Sequence, residues 1–211
     1  MCAWKMFSLK MFSIASLLAL SVMVNMLADH VLFGKYSLAL RVVSDEFAHC
    51  FSSAILWLVV DWIVSLSTWN RRMALSVLCG ICASALDLDH IFQADSLTMQ
   101  AILHLRTRPL LHITTFTAML NVLLYLLLKS SPRNYLVVFV FLIWFPHQSR
   151  DANRRGYTMY PFGTTQPLAK WLYLFILAVL SPILGVALFR LLPSNMSTVN
   201  VQAQSPELRY V

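Results

Sequence analysis

Residues 73–92 of the chain, MALSVLCGICASALDLDHIF, begin as a continuous apolar stretch and end with two aspartates and a histidine. About twenty predominantly apolar residues in a helix are enough to cross the hydrocarbon core of a bilayer. The stretch therefore predicts a membrane-spanning helix. Ionisable residues in or next to such a helix are costly and by default indicate a functional site, so Asp87, Asp89 and His90 are candidates for one.

The composition supports a membrane protein throughout. Hydrophobic residues make up 59% of the 211 residues and charged residues 12%, with a mean hydropathy of +0.69. A soluble domain is typically about 45–50% apolar and about 25% charged. The net charge of +7 comes mostly from Lys and Arg in short loops between apolar runs. Such residues set membrane topology and contact lipid headgroups, so we expect the lipid bilayer as a partner and no nucleic acid.

Five more apolar segments join the first. The six segments are 11–33, 42–66, 73–92, 110–128, 134–151 and 168–192. They predict an all-α, polytopic integral membrane protein of about six transmembrane helices, with residues 1–192 as one transmembrane domain. Pro182 lies within the sixth segment and predicts a kink there. Residues 193–211 are polar and predict a disordered tail.

Polar residues are concentrated on one face of this predicted bundle. Successive spans alternate in direction, so the ends of helices one, three and five share a face with the starts of helices two, four and six. Within the spans, His147 and Asp151 are four residues apart and project side by side from a helix, and Asp87 and His90, three apart, do likewise. Asp89 points away from them unless the helix has already unwound. The candidates on this face are His49, Asp87, Asp89, His90, His112, His147 and Asp151.

Imidazoles and carboxylates in this number indicate a divalent metal site. Zn²⁺ is the best match, while Mn²⁺ or Fe²⁺ would tolerate the oxygen-rich mixture. We predict the metal ligands to be His49, Asp87, Asp89, His90, His147 and Asp151. His112 is predicted to be a ligand or catalytic proton carrier, and Arg108 a clamp for an anionic substrate group.

Other polar residues have simpler interpretations. Asp29, His30 and Asp45 are predicted to be helix caps, ion pairs or headgroup contacts. His104 is predicted to be solvated in its loop. Asp61 lies within an apolar run, where it either has a function or extends to the membrane interface.

Four stretches of the chain resemble a known family. VSDEFAHC (43–50), ALDLDHIF (85–92), RTRPLLHITT (106–115) and HQSRDANRRGYTMYPFGTTQPLAKWLY (147–173) resemble, in this order, the animal transmembrane protein 267 family over roughly residues 25–190. The resemblance implies a membrane topology rather than a defined activity.

More distantly, the same ordered series of His and Asp motifs resembles bacterial inner-membrane proteins described as YdjM-type metal-dependent hydrolases. The resemblance assigns His49 to the first block of their pattern, Asp87, Asp89 and His90 to the second, and His147 and Asp151 to the fourth. In the third block Arg108 and His112 fit, but Thr107 replaces a histidine and Ile113 replaces a serine. The departure leaves a metal site in place and removes one potential ligand or proton carrier.

Two functions follow from these observations. The protein is either a metal-dependent membrane hydrolase acting on a lipid-like or phosphorylated substrate, or a non-enzymatic scaffold or partner-binding protein that retains a polar site. Bound metal distinguishes them, because a scaffold requires none.

Overall fold

The computed structural model describes residues 2–103, 105–130 and 133–192, and helices dominate this part of the chain. In order they are α1 (Cys2–Phe33), α2 (Leu38–Val64), α3 (Trp69–Ala85), α4 (Leu88–Gln93) and α5 (Met99–Leu103), a 3₁₀ turn (Leu110–His112), α6 (Thr114–Leu128), α7 (Tyr135–Arg155), α8 (Lys170–Phe175), a π-helical turn (Ile176–Leu180) and α9 (Ser181–Leu191). Two isolated β-bridges are the only extended pairing among these residues. The predicted all-α class is confirmed, whereas the predicted tail at 193–211 and His104 lie outside the described residues.

Each of the six predicted apolar segments is helical. Four helical stretches are long and apolar enough to cross a membrane: Ser8–Phe33, Leu38–Val64, Trp69–Gln93 and Lys170–Leu191. Thr114–Leu128 is also apolar but shorter. The fifth segment corresponds to α7, which is apolar at its start and charged in its last two turns. These helices support an integral, multi-pass membrane protein.

Helix α2 lies at the centre of the bundle and packs against α1, α3, α7 and α9. Its side chains Leu56, Trp57 and Val60 form the main apolar core with residues of α3 and α7. The α2–α3 contact is close because residue 80 is a glycine: a Cβ atom there would lie 2.5 Å from the carbonyl oxygen of Cys50. Cys79 beside it is fully buried and unpaired, as expected of a small packing residue.

The sixth segment loses its regular α-helical geometry beside Pro182, where the sequence predicts a kink. A proline has no amide hydrogen and cannot continue the helical hydrogen-bond ladder. The π-helical turn Ile176–Leu180 comes just before this point, and the Ser181 hydroxyl donates to the Ile176 carbonyl oxygen at 2.8 Å. The irregularity therefore has a local cause in the sequence.

Asp61 serves the turn between α2 and α3. Its carboxylate accepts hydrogen bonds from the Ser67 amide at 3.0 Å and from the Ser67 hydroxyl, and it lies 3.5 Å from Arg72 Nε. The residue is 1% exposed. These contacts give Asp61 a structural role, because they hold the hairpin of α2 and α3 closed.

Candidate metal centre

The polar end of residues 73–92 begins where the third span stops being a regular helix. Between α3 and α4, the amides of Leu86 and Asp87 donate to carbonyls three residues earlier, at 3.4 and 3.2 Å. This tighter turn shifts the direction of the following side chains. Asp87 and Asp89 would diverge on a continuous α-helix, but here both reach His112. The unwinding on which the predicted role of Asp89 depended is therefore present.

His112 lies on the 3₁₀ turn before α6 and is 4% exposed. Its Nε2 atom is 3.0 Å from Asp87 Oδ1, and its Nδ1 atom is 3.2 Å from Asp89 Oδ2. The turn is fixed from both sides, since the Leu111 amide donates to Asp89 at 3.2 Å and Gln148 Nε2 donates to the Leu111 carbonyl at 2.8 Å. The surrounding backbone thus holds the imidazole in place.

Helix α7 adds the second pair. His147 and Asp151 lie side by side on it, as their spacing predicts, with His147 Nε2 4.0 Å from Asp151 Oδ2. His147 Nε2 also lies 3.0 Å from His112 Nε2 and 3.7 Å from Asp87 Oδ1. Asp151 Oδ2 lies 3.5 Å from His112 Nε2. Four ligand-type atoms from three parts of the chain therefore converge on one point.

The separations lie within about 0.4 Å of those in a tetrahedral metal coordination shell. Zn²⁺ bonds of about 2.0–2.2 Å at tetrahedral angles place neighbouring ligand atoms about 3.3–3.6 Å apart. The five separations above run from 3.0 to 4.0 Å and involve the same four atoms throughout. Two imidazole nitrogens and two carboxylate oxygens are also donors that Zn²⁺ accepts. The residues present fit a divalent cation, and we name this set the four-atom cluster: Asp87, His112, His147 and Asp151.

Asp89 and His90 occupy different positions from those predicted. Both were expected to be ligands of the same metal, but they form a second metal-like group with His112, and His90 Nδ1 lies 3.5 Å from Asp87 Oδ1. Asp89 Oδ1 is 3.0 Å from His90 Nδ1, and its other oxygen faces His112 Nδ1. A carboxylate on the outer nitrogen of a ligating imidazole fixes the tautomer and directs the other nitrogen to the metal. Asp89 is therefore better placed to orient His112 than to bind the ion.

The carboxylates also determine the charge of His112. Burial by itself lowers the pKa of an imidazole. Here the hydrogen bonds to Asp87 and Asp89, together with the charge of Asp151, outweigh burial and raise the pKa of His112 to about 10. The neighbouring carboxylates therefore favour positive charge on or beside this imidazole. His112 was predicted to be a ligand or proton carrier, and its position within the four-atom cluster favours the role of ligand.

His49 lies beside the cluster rather than in it. Its ring stacks on that of His147 with centroids 3.9 Å apart, and its Nε2 atom is 3.7 Å from Asp151 Oδ1 and 3.9 Å from Asp45 Oδ1. Neither ring nitrogen has a hydrogen-bond partner among the described residues. His49, Asp45 and Asp151 form a further group with metal-like spacing, but Arg154 binds both carboxylates of this group.

A buried network next to the cluster was not expected from the sequence. Arg150 is 3% exposed and lies 3.0 Å from both Asp29 and Asp45. It also donates to Asn25 Oδ1 at 2.8 Å, and Asp29 accepts a hydrogen bond from the Tyr173 hydroxyl. Asp29 and Asp45 are therefore internal ion-pair partners rather than caps or headgroup contacts. His30, by contrast, is exposed.

Proteins named transmembrane protein 267 match most of the chain. The zebrafish protein (Danio rerio) is 34% identical over 191 residues, covering 86% of this chain and 84% of the relative. The bovine protein (Bos taurus) is 32% identical over 154 residues, covering 71% and 70%. The Xenopus laevis protein is 35% identical over 145 residues, covering 67% and 66%. The chain belongs to the transmembrane protein 267 family. No protein-family model matches it, and no solved structure does.

Membership confirms the predicted family and the integral membrane location. It does not extend to an activity, because the relatives' names state only that they are transmembrane proteins. The more distant resemblance to bacterial YdjM-type hydrolases gains no support from these relatives and stays a prediction.

In this transmembrane protein 267 family member, a cavity of about 690 Å³ opens beside the four-atom cluster. Asp87 and Asp151 belong to its lining, and so does Arg108, the predicted anion clamp. Arg108 Nη1 is 3.8 Å from Asp151 Oδ2, and burial lowers the pKa of this guanidinium. The rest of the lining combines apolar, basic and acidic side chains from the ends of α1, α3 and α7, the start of α2, and helices α4 and α5.

Proposed function

We propose that this protein is a metal-dependent membrane hydrolase that binds one divalent cation, Zn²⁺ best, and acts on a lipid-like, phosphorylated substrate. One observation carries the proposal: Asp87, His112, His147 and Asp151 present four donor atoms with the mutual spacing of a metal shell at the wall of a cavity. Helix caps have no need of this arrangement, since each cap serves its own helix end.

The surroundings favour one ion over two. A second ion at His49, Asp45 and Asp151 would have to displace the Arg154 guanidinium, which lies 2.7 Å from Asp45 Oδ2 and pairs with Asp151. Arg150 binds the other oxygen of Asp45 at 3.0 Å. These two guanidiniums already supply the positive charge that a second cation would bring. At the four-atom cluster, by contrast, the Arg108 guanidinium lies farther away, with Nη1 3.8 Å from the donor oxygen of Asp151.

The chain's own residues suit hydrolysis of a phosphorylated compound. Asp89 orients His112 through Nδ1. Arg108 lines the cavity, 3.8 Å from Asp151, where it can bind a phosphate oxygen. The apolar part of the cavity wall can accommodate a lipid chain. A divalent cation bound here supplies a Lewis acid and makes hydroxide available near neutral pH.

Metal analysis of purified protein tests the proposal against the scaffold alternative. The full chain, purified in mild detergent without chelator, is expected to carry about one zinc per polypeptide by plasma mass spectrometry. Asp87→Asn keeps the side-chain shape but removes a ligand charge, so it should lose most of the metal. Asp95→Asn is the matched control, because Asp95 is exposed on the neighbouring loop and lies outside all the metal-like groups.

The result can contradict the proposal in two ways. Wild-type protein without metal, also after incubation with excess Zn²⁺, favours the scaffold. Equal metal content in the wild type and Asp87→Asn would show that the four-atom cluster is not the binding site. Release of phosphate from bilayers that contain phosphorylated lipids then tests hydrolysis itself, with the wild type and Asp87→Asn measured side by side. A wild type that retains its metal but releases no phosphate from any of these lipids argues against an enzyme.

A further inference from the structure

Charged side chains of both signs line the cavity. Four arginines line it, Arg41, Arg108, Arg154 and Arg155, and so do four carboxyl groups, Asp45, Glu46, Asp87 and Asp151. A divalent cation at the four-atom cluster would add two positive charges to this lining. Charge that is partly removed from water is costly unless it is compensated locally. A ligand with two negative charges compensates the added charge more fully than a ligand with one.

Two of the arginines are placed to bind such a ligand. Arg154 is committed to Asp45 and Asp151. Within the part of the chain that the structure describes, the contact of Arg108 with an acid is a long one, 3.8 Å to Asp151. The Nε atom of Arg41 is buried and has no hydrogen-bond partner among the described residues, although the side chain borders the cavity. A buried donor without an acceptor is costly, and guanidinium groups bind phosphate oxygens well.

The rest of the wall is apolar and reaches the outside of the bundle. It includes Leu32 and Phe33 at the end of α1, Leu38 and Val42 at the start of α2, and Leu88 and Ile91 on α4. Phe33 is 65% exposed and Leu88 52% exposed, so this wall continues onto the surface that faces lipid in a membrane protein. A hydrocarbon chain can lie along these residues while its polar end lies between Arg41, Arg108 and the cluster.

We propose that the cavity binds a lipid with a terminal phosphate monoester, a dianion, in preference to phosphodiester lipids, which carry one charge on the phosphate. This inference rests on the proposed function, because the added charge comes from the bound cation. Hydrolysis of such a lipid adds water across one ester bond: the water oxygen bonds to phosphorus, the P–O bond to the lipid breaks, and the lipid leaves as an alcohol with one of the protons.

Binding measurements test the preference without relying on turnover. The full chain in detergent, with its zinc content measured first, is titrated with dioctanoyl phosphatidic acid, dioctanoyl phosphatidylglycerol and inorganic phosphate, with tryptophan fluorescence as the readout. We expect phosphatidic acid to bind about tenfold more tightly than the other two, because only it combines two charges with an apolar chain. Removing the zinc should abolish the advantage over phosphatidylglycerol.

Arg41→Gln should weaken binding of phosphatidic acid about tenfold with unchanged zinc content. Arg106→Gln is the matched control, since Arg106 is exposed two residues from Arg108 and does not line the cavity. Equal affinity for phosphatidic acid and phosphatidylglycerol in zinc-loaded protein overturns this inference alone. Inorganic phosphate binding as tightly as phosphatidic acid overturns its lipid part. Absence of zinc from the wild type overturns the proposed function and this inference together.

Discussion

Asp61 and Asp151 are both buried aspartates in apolar helices, at opposite ends of the helix bundle. Asp61 is satisfied by its own neighbourhood: Ser67, six residues later, and Arg72 at the start of the next helix. Asp151 contacts residues from four separate parts of the chain, namely His49 on α2, Arg108 in a loop, His112 on the 3₁₀ turn, and His147 and Arg154 on its own helix.

The difference separates an acid that closes a local turn from an acid at which distant parts of the chain converge. A carboxylate that closes one turn needs only local donors. The cluster around Asp151 instead places two imidazole nitrogens 3.0 Å apart between two carboxylates, from segments that are far apart in sequence. Local turn geometry provides no reason for such convergence, whereas a shared cation does.

The most demanding test of this difference between Asp61 and Asp151 changes a residue that contacts the four-atom cluster but does not belong to it. Asp89→Asn removes the charge that holds His112 Nδ1 and should weaken zinc affinity about 10–100-fold, as is typical of outer carboxylates on metal-bound histidines. Competition with a coloured zinc chelator measures the affinity. An affinity within twofold of the wild type would show that Asp89 does not orient His112.

A smaller effect is expected at His49. His49→Gln should change zinc affinity by less than about fivefold, because its Nε2 atom lies 3.7 Å from an Asp151 oxygen that Arg154 already binds. The same chelator competition applies, with Asp89→Asn measured in parallel. Complete loss of zinc from His49→Gln would restore His49 as a ligand, as the sequence predicts, and would argue for a different metal position.

No effect on zinc is expected at the other end of the bundle. Asp61→Asn should leave zinc affinity unchanged and reduce stability by about 1–3 kcal/mol, because Arg72 loses its buried carboxylate partner. Thermal unfolding in detergent measures the loss, and Ser96→Ala in an exposed loop serves as a control of similar size. Zinc loss on Asp61→Asn without unfolding would contradict the division between the two ends.

Periodicity and topology predicted much of this arrangement. The six apolar segments and their alternation placed His49, Asp87, His112, His147 and Asp151 at one end of the bundle, and the structure brings them into contact. The spacing of His147 and Asp151 also gave their common direction on α7. These predictions succeed because helix period and span length are local properties of a sequence.

The contacts between helices could not be predicted in the same way. Arg150 has the sequence signature of a loop charge near a helix end, yet it pairs with Asp29 and Asp45, which lie more than a hundred residues earlier. No proline or glycine marks the break in the helix after Ala85, yet this break determines whether Asp89 can reach His112. Both the pairing of Arg150 and this break depend on how the helices pack against one another, and a single sequence does not reveal that packing.

The position of Arg150 implies an order of events during biogenesis. Helix α7 carries Arg150, Asp151, Arg154 and Arg155 in its last two turns and is not among the four stretches apolar enough to cross a membrane by composition. Its partners Asp29 and Asp45 belong to α1 and α2, which leave the ribosome first. We therefore expect the first two helices to be in the membrane before α7 is inserted, so that Arg150 is neutralised as the helix that carries His147 and Asp151 enters the membrane.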